Sequence, residues 1–178
     1  MKSDFQTIVL PAVREYFEAE VELSRAKLDC ANDLDSVREQ VIRRARTASI
    51  ELHQLADAIG HGDLNAIKLI RTQVESKCTY LRTTALQADI ALLRDVAEAF
   101  KHRELNRSKV RVSSQKAVAT VSLGYGALRF GEGKYGGGEQ VIVEQIDGSQ
   151  RALSSILQNC VDAWRRYFAL PLPELSHF

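Results

Sequence analysis

Apolar residues recur every three to four positions through the first two-thirds of the chain, the spacing that lines one side of an α-helix. Val13, Phe17, Val21, Leu23 and Leu28 stand at such intervals among charges, and Pro11 marks a helix start or a kink. Residues 30–36, Cys-Ala-Asn-Asp-Leu-Asp-Ser, break the pattern and offer Asp33 or Asp35 as the cap of the next helix. That helix is predicted to reach about Ile59, with Val37, Val41, Ile42, Ala45, Ile50, Leu52 and Leu55 on its apolar side. Gly60-His61-Gly62-Asp63 then ends one helix and, through Asp63, starts another. A third helix is expected over residues 64–77 and a fourth over 84–104. The segment 78–83 between them fits either a turn or a continuous helix.

After Asn106 the period changes. Residues 109–113 and 117–123 alternate and favour β-branched side chains, as strands do. A segment holding seven of the ten glycines follows, then a third strand pattern at 140–145 and a hairpin signal at Asp147-Gly148. Residues 153–168 return to helix, with Ile156, Leu157, Cys160, Val161, Trp164 and Phe168 on one face, and Pro171 ends it. The pattern predicts a mainly α protein: an antiparallel helical bundle with a small antiparallel β-insertion before the C-terminal helix. It reads as one domain over residues 1–178, with the bundle at about 3–106 plus 153–170 and the insertion at about 108–150.

Composition narrows the function classes. The chain has 178 residues, 45% hydrophobic and 26% charged, with a net charge of +1, so no global field draws it to nucleic acid or an anionic membrane. Cys30, Cys78 and Cys160 are odd in number and far apart, without a CxxC, which argues for reduced thiols rather than a disulfide or zinc framework. The N-terminus carries acids early and lacks a long apolar run, and no stretch approaches ~20 apolar residues. The expectation is a cytoplasmic protein without membrane contact, metal or cofactor.

Two segments carry candidate chemistry. Gly131-Glu132-Gly133-Lys134-Tyr135-Gly136 matches the bare GxGxxG pattern, but a strand follows it where a dinucleotide site needs a helix. The P-loop pattern fails because Glu132 stands where lysine is required. Gly131, Gly133, Tyr135 and Gly136 therefore read as a hairpin loop with an aromatic anchor; a small-molecule pocket beneath it is the alternative. The second segment is Leu92 to Leu105. Leu86, Ile90, Leu93, Ala97 and Phe100 form its apolar stripe, while Asp95 and His102, seven apart, share the opposite face beside Ala88, Ala91 and Ala99. A histidine near a carboxylate, flanked by Arg94, Lys101 and Arg103, has the makings of a general base with cations for a phosphate oxyanion. The same arrangement also fits a helix packed on two sides.

A helical bundle ending in an Arg…Lys-His helix, together with the Leu-Arg-Asp…Ala-Phe-Lys-His run, resembles the HEPN superfamily of small bacterial all-α proteins. The likeness covers about residues 34–106 and the final helix. It implies metal-independent RNA cleavage across a homodimer, with His102 as the histidine and Arg94 as the arginine; Lys101 and Arg103, which flank His102, are the candidate RNA contacts. Seven residues separate Arg94 from His102, where the family has four to six, and Asp95 stands where asparagine is common. The group also includes non-catalytic companion proteins. The expected function is a dimeric, non-enzymatic interaction protein with an RNA or protein partner, possible settings being bacterial defence and toxin–antitoxin pairs; an RNA endonuclease is the alternative. His53 and His177 are read as exposed and uninformative, His61 as solvated or capping, and Arg43, Arg44 and Arg46 as a solvated face, with a phosphate-contacting patch as the alternative.

Overall fold

The computed structural model describes residues 2–30, 32–102, 110–122 and 138–173. The chain is mainly α, with a small antiparallel sheet ahead of the last helix. A short α1 (Lys2–Asp4), a π-helical stretch (Phe5–Val9) and α2 (Leu10–Leu28) run on as one rod. Pro11 cannot donate a backbone hydrogen bond, and the wide π turn just before it absorbs that break. The same turn brings both Phe5 and Val9 into the core. Next come α3 (Leu34–Gly60), α4 (Leu64–Glu75), α5 (Asp89–His102) and α6 (Leu153–Tyr167). Helix α3 lies at the centre and packs on α2, α4, α5 and α6.

The α3–α4 junction follows from three residues. His61 ends α3 in the left-handed region (φ 49), and Asp63 caps α4 by accepting from the N–H of Asn65 (2.8 Å) and Ala66 (3.3 Å). Gly60 lets the two helices touch, because a β-carbon there would stand 2.5 Å from Ile67 Cγ1. Asp33 sits at the start of α3 without a side-chain capping bond.

Residues 78–88 form a turn and not a continuous helix. Thr79 bridges Leu86, and Thr83 N donates to Tyr80 O (2.8 Å). Leu81 (φ 40) and Arg82 (φ 64) at its apex both lie in the left-handed region, which costs roughly 1–2 kcal/mol per residue for side chains with a β-carbon. Helix α6 holds the turn in place. Asn159 Oδ1 accepts from Leu81 N (2.8 Å), and Arg82 binds Asp162 (2.8 Å) and the carbonyl of Pro173 (2.6 Å). Helix α5 thus starts at Asp89, later than the 84 predicted from periodicity, and Leu86, placed on its apolar stripe, is instead 67% exposed on the turn.

The sheet has strands β1 (Val118–Ser122), β2 (Glu139–Glu144) and β3 (Gln150–Ala152), antiparallel in that order. Of the strand expected at 109–113, the described residues 110–113 are not in a strand. Central β2 is buried from Glu139 to Val143, because helices cover it while β1 and β3 flank it. Val118, Val141 and Val143 join the same core as Phe5, Tyr16, Phe100 and Trp164. Two buried acids weld this strand to the bundle. Glu20 accepts from Tyr16 Oη (2.8 Å) and Val141 N (3.2 Å), and Glu139 takes two bonds from Arg38 (2.6 and 3.0 Å). Helix α6 carries the strongest apolar face, and Trp164 is core, stacked on Phe168 at 5.6 Å. Val21 and Leu28, predicted on the buried side of α2, are 41% and 66% exposed.

Candidate functional site

Helix α5 separates the residues that periodicity put together. Asp95 is buried at 1% exposure, and its carboxylate accepts from Arg111 N at 2.8 Å. It therefore anchors the chain entering the sheet. His102 is exposed at the far end of α5. From Arg94 to His102 the helix rises about 12 Å and turns about 80°, so the two point to different places within one chain. Lys101 is half-buried beside His102. Arg103, Gly131, Gly133, Tyr135 and Gly136 lie outside the described residues. Arg43, Arg44 and Arg46 are exposed, and Arg44 pairs with Glu15.

The histidine that does meet a carboxylate is His53, read from sequence as exposed. It is 8% exposed in the α3–α5 contact, with Nε2 3.8 Å from Glu98 Oε1. Its burial follows from the stripe of Ser49, Leu52 and Ala56 that turns the same way.

Arg94 opens onto a surface groove of about 720 Å³ between α4 and the start of α5. The C-terminal end of α4 lies against the N-terminal end of α5. The carboxylate of Glu75 accepts from the backbone of Ile90 and Ala91 there. Residues of α4 at intervals of four, three and four face the groove: Leu64, Lys68, Arg71 and Glu75. Ile67, Ile90 and Ala91 give it apolar surface, and Leu64 (80% exposed) and Leu86 (67%) stand on its walls.

The electrostatics of the groove are mixed but ordered. Arg71 donates to Asp57 (2.9 Å), and its buried Nε has no acceptor. Arg94 touches Asp95 only at 3.4 Å, which leaves most of its five donors unused, and Lys68 is exposed. Burial is the main influence on Glu75. It raises the carboxyl above its ordinary range, against the opposing pull of the Ala91 and Ile90 amides and of Arg111. Three cations thus share the groove with two acids, one paired to Arg71 and one turned to the backbone of α5.

A second polar cluster behind the 78–88 turn is closed. Asp89, 1% exposed, takes both nitrogens of Arg151 (3.0 and 3.0 Å) and Asn159 Nδ2 (2.7 Å). Every oxygen there is used within the fold, so the cluster is a clasp. Cys78 and Cys160 are buried next to it, and burial with the neighbouring thiol pushes Cys160 well up. Among the described residues, no group of three or more His, Cys, Asp or Glu could hold a metal, and no helix is long and apolar enough to cross a membrane.

The groove was only partly readable beforehand. Arg94 was singled out, but Lys68, Arg71 and Glu75 were missed. Their signal is the 4-3-4 spacing on α4, which reads as an ordinary solvated face until α5 is laid beside it. No protein-family model, curated protein or solved structure matches this chain.

Proposed function

We propose that this chain is a non-enzymatic binding protein that receives a partner in the α4–α5 groove. The observation that carries this reading is the fate of the α5 polar residues. Asp95 is spent on the backbone of Arg111, His102 stands apart from it, and Arg94 opens onto a groove walled by exposed leucines. Among the described residues no carboxylate orients His102, which leaves it without the support a general base needs, whereas Arg94 has unused donors at an apolar surface.

Kinship with the HEPN group, a cytoplasmic setting, a homodimer and a role beside a toxin or defence protein belong to this same proposal. The cytoplasmic setting rests on the unpaired cysteine pattern, and the others on the Leu-Arg-Asp…Ala-Phe-Lys-His run. A ribonuclease is the second reading. It is favoured by the exposure of His102 next to Lys101, and it needs the arginine of a second chain to complete the site. Incubation of wild type and His102→Ala with total bacterial RNA in EDTA tests both. Intact RNA with both proteins supports the binding protein. Cleavage by wild type but not by a folded His102→Ala chain overturns it.

A further inference from the structure

The chemistry of the groove selects among partners, given the binding reading above. Lys68, Arg71 and Arg94 line it together with two exposed leucines, Leu64 and Leu86. Both acids are engaged, Asp57 by Arg71 and Glu75 by the first amides of α5. Arg71 is spent on Asp57, so Lys68 and Arg94, the latter holding Asp95 only at 3.4 Å, are the cations left for a partner beside the apolar wall. Helix α4 spans twelve residues, about 18 Å at 1.5 Å per residue. The groove lies between two helices, with no strand edge along it among the described residues, so an extended peptide has no ladder to join. It is also open along its length, unlike the enclosed pockets that bury most of a small ligand.

We infer that the α4–α5 groove binds an acidic amphipathic helix of a partner protein. Such a helix lays leucine-like side chains against Ile67, Ile90 and the two wall leucines. It directs glutamate or aspartate at Lys68 and Arg94. Eleven or twelve residues cover the groove, which fixes the spacing of the outer anchors at about three turns. The charge match sets orientation and speeds encounter, and the apolar contacts supply most of the hold.

The test is a selection of displayed random sixteen-residue peptides on the full chain, followed by affinity measurements on Lys68→Glu and Leu64→Ser. Both side chains are exposed, so their replacement leaves the core alone. The expected winners are net acidic, with apolar residues at helical spacing, and become helical on binding. Lys68→Glu weakens them by about tenfold or more, and added salt weakens them further. Winners that lose affinity in these variants but are basic, neutral or extended overturn the acidic helix while keeping the groove as a binding surface. Winners indifferent to both variants, or no winners at all, overturn the groove itself. Self-association that Lys68→Glu abolishes assigns the surface to a second copy of this chain and also overturns the inference.

Discussion

Asp89 offers the sharpest test of how the fold positions α5. Its carboxylate is 1% exposed and takes three hydrogen bonds, two from Arg151 and one from Asn159. Replacing it by alanine strands the Arg151 guanidinium, whose side chain is 18% exposed, and leaves the buried Asn159 amide without its acceptor. Breaking a buried pair by removing one partner costs about 3–5 kcal/mol. Arg151 reaches some solvent and lies 5.9 Å from the centre of the Tyr80 ring, so the lower part of that range, about 3–4 kcal/mol, applies. For a chain of this size, that lowers Tm by roughly 6–16 °C. Arg44→Ala, which removes an exposed pair with Glu15, is the control and costs about 0–1 kcal/mol. Urea unfolding followed by far-UV circular dichroism reads both variants. The double change Asp89→Leu with Arg151→Met should recover much of the loss, because an apolar pair replaces the ion pair without a stranded charge. A loss below about 1 kcal/mol for Asp89→Ala, no larger than the Arg44→Ala control, refutes the clasp.

Other perturbations separate structural from exposed polar groups. Asp95→Ala should cost about 1–3 kcal/mol by leaving Arg111 N without its acceptor, whereas His102→Ala should stay within about 0.5 kcal/mol; the same urea titrations compare them. Gly60→Ala should destabilise by about 1–3 kcal/mol despite alanine's better helix propensity, since its β-carbon meets Ile67, and thermal unfolding shows the sign. A thiol reagent should label Cys30 quickly in the native protein and reach Cys78 and Cys160 only after denaturant is added. The carboxyl of Glu75 is raised in the fold, so the folded state binds its proton more tightly than the unfolded chain does. Its contribution is full below the ordinary carboxylate pKa and is lost as pH rises through the folded value. Glu75→Gln should remove that part of the decline in urea stability across the mildly acidic range.

Most of the helical fold was legible because its signals are local. Asp63 stands three residues after Gly60, and the stripe of Ile156, Leu157, Cys160, Val161 and Trp164 repeats at helical spacing, so both the α3–α4 break and α6 could be read directly. The 78–88 turn could not. Leu81 and Arg82 adopt a conformation that neither favours, and Asn159 and Asp162, far along the chain, hold them there. Tertiary bonds overrode local preference, and α5 lost the first turn that periodicity had given it. The buried central strand was legible as a strand, but its anchors were not, since nothing near Glu20 or Arg38 in sequence announces Val141 or Glu139.

The candidate site shows the same limit. The helical wheel put Asp95 and His102 on one face of α5, but it carries no information on where the next hundred atoms of chain go. Arg111 returned to Asp95 and buried it, while His102 stayed at the open end. Arg94 was legible as a candidate cation because it stands in the charged sector flanking His102 and matches the arginine of the HEPN resemblance. Its companions Lys68 and Arg71 belong to another helix, and only packing brings the three together.

The proposal places this protein's partner in the α4–α5 groove. The most direct measurement is an amide NMR titration of the labelled full chain with an acidic helical peptide taken from the selection. The expected shifts are confined to Leu64–Glu75 and to the 86–94 segment, saturate together and are absent in Lys68→Glu. Shifts centred instead on α2 and α6, or on the end of α5 at His102, contradict it.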